Sequence, residues 1–333
     1  MTAASPAMST LSESAGAPAS GHAGTDKYAV LLARCAGLPP IPTAVAHPCD
    51  ASSLSGALEA AALGLIVPIL VGPAARIRQV AAEHGLALGD TAIIDAPHSH
   101  ASAQLAVAAV RNGDAELLMK GSLHTDELLH EVTAAASGLR TGRRLSHVFA
   151  MDVPSYHKPL FITDAAVNIF PTLNDKADIC RNAIDLVRVL GIDRPKVAIL
   201  SAVETVTDKI PSTIDAAALC TMSRRGQING ALLDGPLAFD NAISREAAVT
   251  KGIDSEVAGD PDILLVPDLE AGNMLAKQLT FLAGAEAAGI VLGARVPIIL
   301  TSRADSVRAR IGSCAIAVLL AHARRSAEAA VSV

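Results

Sequence analysis

Arg295-Val-Pro-Ile-Ile-Leu-Thr-Ser-Arg-Ala-Asp-Ser306 is the stretch on which the fold turns. An apolar run, Pro297 to Thr301, reads as a short buried strand; it stops abruptly at Ser302 and Arg303, and a long helical pattern over Val307 to Arg325 follows. A strand that turns into a helix is the unit of an open α/β sheet, where ligands are held beyond the carboxyl ends of the strands. A hydroxyl beside a guanidinium, close to a helix N-terminus, suits an anionic group or a developing negative charge. The stretch therefore points first to an enzyme acting on a phosphate-bearing substrate.

The same rhythm extends outward along the chain. Strand-like runs are Ile66 to Val71, Ala92 to Ile94, Ala115 to Met119, Ser146 to Met151, Leu160 to Thr163, Val197 to Leu200, Gly230 to Leu233, Ile263 to Val266 and Pro297 to Thr301. Helical runs fall between most of them, at Ser55 to Leu63, Ala101 to Asn112, Lys176 to Leu190, Thr213 to Arg224, Asn273 to Ala288 and Val307 to Arg325. Such βα alternation predicts an α/β protein with mostly parallel strands and helices on the sheet faces. The link from Met151 to Leu160 has no room for a crossover helix, so those two strands are expected to be antiparallel. That break in the pattern marks a plausible domain crossing.

The 333 residues suffice for one large or two medium domains. Apolar residues make up 51%, yet there is no Trp, only two Tyr and five Phe, so the core must be built from Ala, Val, Ile and Leu. No uninterrupted apolar run is long enough to span a membrane, and a formal charge of −6 argues against a general nucleic-acid binder. Cys35, Cys49, Cys180, Cys220 and Cys314 are far apart and form no CxxC, which signals neither a zinc site nor a disulfide framework. They read as small buried hydrophobes in a reducing cytoplasm. Residues 1–26 contain no Lys or Arg and no apolar core segment, and read as a disordered tail rather than a secretory or transit peptide.

Polar residues gather where the expected strands end: Lys120 and Ser122, Asp164, Ser201, Asp234 and Gly235, Asp268 to Asn273, and Ser302 to Asp305. In a parallel sheet these groups would share one edge, the usual binding crevice. Gly138-Leu-Arg-Thr-Gly-Arg-Arg-Leu-Ser-His147 places Arg140, Arg143 and Arg144 in one loop, and guanidinium forks grip phosphate oxygens in pairs. Arg224 and Arg225, by contrast, complement a helix dipole. His124 with His130, and His98 with His100, lack both HExxH spacing and a carboxylate framework, so no metal site is expected. His147 and His157 belong to residue types that serve either structure or acid–base chemistry. A GxGxxG after the first strand, a Walker loop and a GxSxG elbow are all absent, which removes the usual signs of nucleotide cofactors and serine hydrolases.

Five blocks, in order, carry a resemblance: Met119-Lys-Gly-Ser-Leu-His-Thr-Asp126, Gly138 to His147, Thr163-Asp-Ala-Ala-Val-Asn168, Val266-Pro-Asp-Leu-Glu-Ala-Gly-Asn273 and Thr301-Ser-Arg-Ala-Asp305. On them the chain resembles the phosphate acetyltransferase and phosphate butyryltransferase family, from Lys27 to Arg325. The resemblance implies two α/β domains around a cleft, an architecture similar to isocitrate and isopropylmalate dehydrogenases. Residues 27–150 plus 292–333 would form the first domain and 151–291 the second, in a cytoplasmic homodimer. It also implies reversible acyl transfer between coenzyme A and inorganic phosphate to give an acyl phosphate, with coenzyme A as substrate and no metal or redox cofactor. Acetyl is preferred, as the commonest acyl group of metabolism, with butyryl as the alternative. Ser302 would hydrogen-bond the reacting carbonyl or its oxyanion, Arg303 would hold phosphate or thiolate charge, and Asp305 is the acidic candidate beside them.

Lys120, Ser122, Thr125, Arg140, Arg143, Arg144, Asp268, Gly272 and Asn273 complete the expected substrate contacts. Two departures stand out. The acetyltransferase branch carries its acidic residue further past the Ser-Arg pair than Asp305 lies here, and an Arg where this chain has His130, which leaves phosphate to Arg140, Arg143 or Arg144. Two other classes compete: a metal- and NAD-dependent decarboxylating dehydrogenase, and a non-catalytic protein that closes on an anion.

Overall fold

The computed structural model describes residues 27–301 and 305–331. The tail expected over residues 1–26, and Ser302 with Arg303, lie outside the described residues. The first half of the chain runs α1 (Lys27–Cys35), β1 (Ile41–Ala46), α2 (Ala51–Ala62), β2 (Ile66–Gly72), α3 (Ala74–Glu83), β3 (Ala92–Asp95), α4 (Ser99–Asn112), β4 (Leu117–Lys120), α5 (Thr125–Thr133) and β5 (Ser146–Asp152). Then come β6 (Leu160–Thr163), α6 (Leu173–Val189), β7 (Lys196–Leu200), α7 (Pro211–Arg224), β8 (Leu232–Leu237), α8 (Phe239–Ile243), α9 (Arg245–Thr250), β9 (Ile263–Leu265), α10 (Leu269–Leu282), β10 (Glu286–Leu292), β11 (Ile298–Ile299) and α11 (Val307–Val331).

The eleven strands among the described residues join one sheet in the order β3-β2-β1-β4-β11-β10-β5-β6-β9-β7-β8. β3, β2, β1, β4 and β11 are parallel to one another, and so are β6, β9, β7 and β8. Between the two sets the pairs β11/β10, β10/β5 and β5/β6 are antiparallel. The last is the pairing read from the short link after Met151. Three reversals are an odd number, so the two parallel sets run in opposite directions. The strand ends therefore do not share one edge, as a uniformly parallel sheet would have them do. Lys120 and Thr301 finish at what we term the near edge; Asp164, Ser201, Asp234 and Asp268 lie toward the far edge.

Two strands escape the reading of the sequence. β1 contains Pro42, a residue that usually argues against a central strand, yet it pairs on both sides, with β2 and β4. β10 was hidden in the run expected to be helical over Asn273 to Ala288. The helix ends at Leu282, Gly284 takes φ +64, and Glu286-Ala-Ala288 continues as strand between β11 and β5. Ala and Glu favour helix locally, but pairing on both edges overrides that preference.

Side chains alternate between the sheet faces, and the two faces are covered differently. Val45 of β1, Met119 of β4, Val148 of β5, Phe161 of β6 and Ile290 of β10 point into a single core that runs under both strand sets, closed by residues of α1, α2, α6, α7 and α11. On the other face there are two cores. One gathers Ala44, Leu118 and Ile298 beneath α4 and α5. The other gathers Ile162, Leu264, Ala242 and Val257 on the second set. A cleft opens where these two cores fail to meet.

Candidate active site

The cleft measures about 640 Å3, and its walls come from both cores: Leu123 and Leu300 from one, Phe149, Ala285 and Ala287 from the other. β4 delivers its first polar group. Lys120 is 8% exposed at the strand end, and its Nζ donates to Gly121 O at 3.2 Å. The following turn lies hard against β1, because a Cβ at Gly121 would stand 2.4 Å from Ala46 O and 2.5 Å from His47 O. Only glycine allows that approach. Gly121 N donates to Ala46 O at 2.8 Å, while Ser122 N and Oγ both donate to His47 O, at 2.9 and 2.8 Å. Ser122 also accepts from Cys49 N at 3.3 Å. It thus fastens two turns together, on a neighbouring hollow shared with His47 and Arg76. Burial lowers the His47 pKa and pushes the Cys49 thiol up to about 11, so Cys49 is not a ready nucleophile. Thr125, at the start of α5, faces the cleft.

The opposite wall of the cleft is one face of α10. Asn273, Ala276, Lys277 and Thr280 recur at helical spacing and line it. Asn273 Nδ2 donates to Ala165 O at 3.1 Å, which ties the helix to the turn after β6. Gly272 permits this packing, since a Cβ there would meet Val266 Cγ2 at 2.7 Å and Ala165 Cβ at 3.0 Å. Asp268 caps the helix, its Oδ1 accepting from Ala271 N at 2.9 Å, and does not reach the cleft. The third side is the segment after β11. Thr301 and Asp305 line the cleft, and the Asp305 carbonyl accepts from Arg310 Nη2 at 3.0 Å. Arg310 is buried, and its Nη1 donates to Ser52 O, so this segment is anchored to α2.

The arginine loop lies elsewhere. It precedes β5 and lies beside the segment that follows β10, at the far edge, where Arg140 bridges Ala294 through its backbone. Arg143 Nη1 meets Asp185 Oδ2 at 2.5 Å on the rim of a separate hollow between α6 and α11. Arg144 Nε donates to Asn168 Oδ1 at 2.8 Å and lies 3.6 Å from Asp175 Oδ1, and its backbone N donates to Asp178 at 3.1 Å. Asn168 is fixed in turn by Asp164. That buried carboxylate accepts from the backbone N of Ala166, Val167 and Asn168 at 3.0–3.1 Å and from Asn168 Nδ2 at 2.5 Å. Burial raises the Asp164 pKa, although all four hydrogen bonds oppose the rise.

Of the expected site residues, Lys120, Thr125, Asn273 and Asp305 are thus brought together, with Ser122 and Gly272 supporting their turns. Arg140, Arg143, Arg144 and Asp268 are not in that group. Lys277, His124 and Phe149 line the cleft without having been singled out for it. Lys277 was legible as the residue one turn after Asn273 on the same helix face. Among the described residues no group of three or more His, Cys, Asp or Glu is gathered as a metal site, and no helix is long and apolar enough to cross a membrane.

The sheet and its cleft define the phosphotransacylase fold: a branched-chain phosphotransacylase from Enterococcus faecalis V583 matches at a TM-score of 0.72 and 30% identity, over 85% of this chain and 99% of that one. A family model described as phosphate acetyl/butaryl transferase matches residues 99–318, and the chain belongs to that family. It is 67% identical over 304 residues to a phosphate acetyltransferase of Rhizobium meliloti, covering 91% of this chain and 96% of the relative. It is 42% identical over 278 residues to a phosphate butyryltransferase of Clostridium acetobutylicum, covering 84% and 92% respectively.

Proposed function

We propose that the chain is an enzyme transferring an acetyl group reversibly between coenzyme A and inorganic phosphate. One observation carries the placement of the reaction: Lys120 with Thr125, Asn273, and Thr301 with Asp305, from three widely separated stretches, line a single cleft. The preference for acetyl over butyryl rests on the difference between 67% and 42% identity to the two named relatives. Toward acetyl-CoA, the thiol of coenzyme A loses its proton to a base, and the thiolate attacks the carbonyl carbon of acetyl phosphate. A C–S bond forms, the carbonyl oxygen carries the negative charge, and collapse breaks the C–O bond to release phosphate. We assign Asp305 as the base and Ser302 as the donor to the oxyanion. Arg303 is assigned to hold phosphate, with Lys120 and Lys277 adding positive charge to the walls. Holding both substrates at once supplies much of the remaining rate.

The two opposed strand sets act in this proposal as lobes around the cleft, in the manner of isocitrate and isopropylmalate dehydrogenases. Shared back-face packing joins them, and the break between the two front cores leaves room for the substrates. The proposal also includes a cytoplasmic homodimer. It is supported by five unbridged cysteines and by Phe281 and Leu282, 75% and 85% exposed at the end of α10, which suit burial against a second copy. The test is phosphate-dependent thiol release from acetyl-, propionyl- and butyryl-CoA. Release is expected to be fastest with acetyl-CoA and to vanish without phosphate; no phosphate dependence with any of the three removes the reading.

A further inference from the structure

We propose that Phe149 sets the length of acyl chain the cleft accepts. This rests on the cleft being the site of acyl transfer. Five of the aliphatic residues that line it are Leu123, Leu300 and three alanines, Ala276, Ala285 and Ala287. Leu123 is buried in the core beneath α4 and α5, and the alanines have no reach. The other large apolar groups are Phe281, three-quarters exposed at the rim, and Phe149, half-buried on the floor. Leu300 is half-buried as well, and Phe149 is the larger of these two apolar side chains against which an apolar tail would end.

The Phe149 ring has nowhere to retreat. His147, two residues earlier on the same face of β5, meets it edge to face with centroids 4.3 Å apart. His147 is itself fully buried, and neither of its ring nitrogens has a hydrogen-bond partner among the described residues. On one side the cross-strand neighbour is Ile162, also fully buried. On the other side it is Gly289, which the packing holds to glycine, since a Cβ there would stand 2.5 Å from Leu300 O and 2.8 Å from His147 Nε2. A tail longer than acetyl must displace the Phe149 ring from a rigid bed, and close-packed interiors resist such movement.

Phe149→Ala and Phe149→Leu are to be assayed with acetyl-, propionyl- and butyryl-CoA in the presence of phosphate, beside Asn273→Ala. Each methylene accommodated in an apolar pocket changes selectivity by about 10- to 200-fold. The ratio of kcat/KM for butyryl-CoA to that for acetyl-CoA is accordingly expected to rise at least about tenfold in Phe149→Ala and by less in Phe149→Leu. Phe149→Leu keeps an apolar side chain on the strand and gives a folded variant should alanine loosen the floor. An unchanged ratio in an active variant, with Asn273→Ala impaired, overturns the assignment of Phe149 while leaving the cleft as the site. Wild-type turnover of all three substrates by Asn273→Ala together with an unchanged ratio overturns both.

Discussion

The arginine loop at the far edge and the cleft at the near edge are both rich in groups suited to phosphate, and the structure uses them differently. In the loop two of the three guanidiniums are tied to the protein: Arg143 to Asp185, Arg144 to Asn168 and Asp175. In the cleft Lys120, Lys277 and Thr125 face a cavity of about 640 Å3. A cluster of positive charge in sequence is therefore an ambiguous sign, because the carboxylates that neutralise it come from elements far along the chain. β5 connects the two regions, starting at Ser146 beside the loop and reaching Phe149 on the cleft floor. Variants along this line separate what each end does.

The largest effect belongs to the reaction proposed for the cleft. With Ser302 as the proposed oxyanion donor, Ser302→Ala is expected to lower kcat by about 10²- to 10³-fold, with KM little changed. Stopped-time thiol-release assays read it directly, and a wild-type kcat would remove Ser302 from the reaction. At the far edge the corresponding change is structural. Asp164→Ala strips a buried acceptor from three backbone N–H groups and is expected to cost at least about 1–3 kcal/mol of stability. Urea unfolding measures that loss, while the KM for phosphate of the folded enzyme should stay within a factor of two or three. A phosphate KM that rises tenfold would make the far edge part of the site.

His147, between the two, is expected to shape the pH dependence of stability. Burial holds its pKa at about 3, against 6.5 for an ordinary histidine. Between those values the unfolded chain takes up a proton that the folded state refuses, so unfolding gains as pH falls. The contribution to stability is fully present above pH 6.5 and is lost progressively from there down toward pH 3. His147→Phe, which cannot titrate, should show a flatter fall of Tm across that window than the wild type. Equal slopes would mean that the ring is reached by water or gains a partner.

Much of this arrangement was legible beforehand. The βα rhythm and the short link after Met151 were enough for an α/β sheet with an antiparallel step, because period and loop length are local properties. The opposed directions of the two strand sets were not legible, since they depend on β10, whose Glu286-Ala-Ala288 carries helix-forming residues and becomes strand only through pairing on both edges. Once β10 is placed, the polar strand ends divide between two edges. Lys120 and Asn273 were found because they follow strands or begin helices. Phe149 was not, for an aromatic residue inside an apolar strand looks the same in a core as on a cleft floor.

The smallest expected effect gives the most direct contrast between the two regions. Arg143 and Asp185 form an ion pair whose side chains are 41% and 57% exposed. Water and salt screen such pairs, and they contribute about 0.2–1 kcal/mol at most. Arg143→Ala should therefore shift the urea midpoint only slightly, and less in high salt than in low. If the loop served phosphate, the same substitution would raise the phosphate KM many-fold, because a guanidinium fork contacting phosphate acts at short range and without a carboxylate already beside it. A phosphate titration of Arg143→Ala at two ionic strengths distinguishes these cases. Unchanged KM at both assigns the loop to the scaffold, whereas a large rise at low salt that shrinks at high salt would return Arg143 to the substrate.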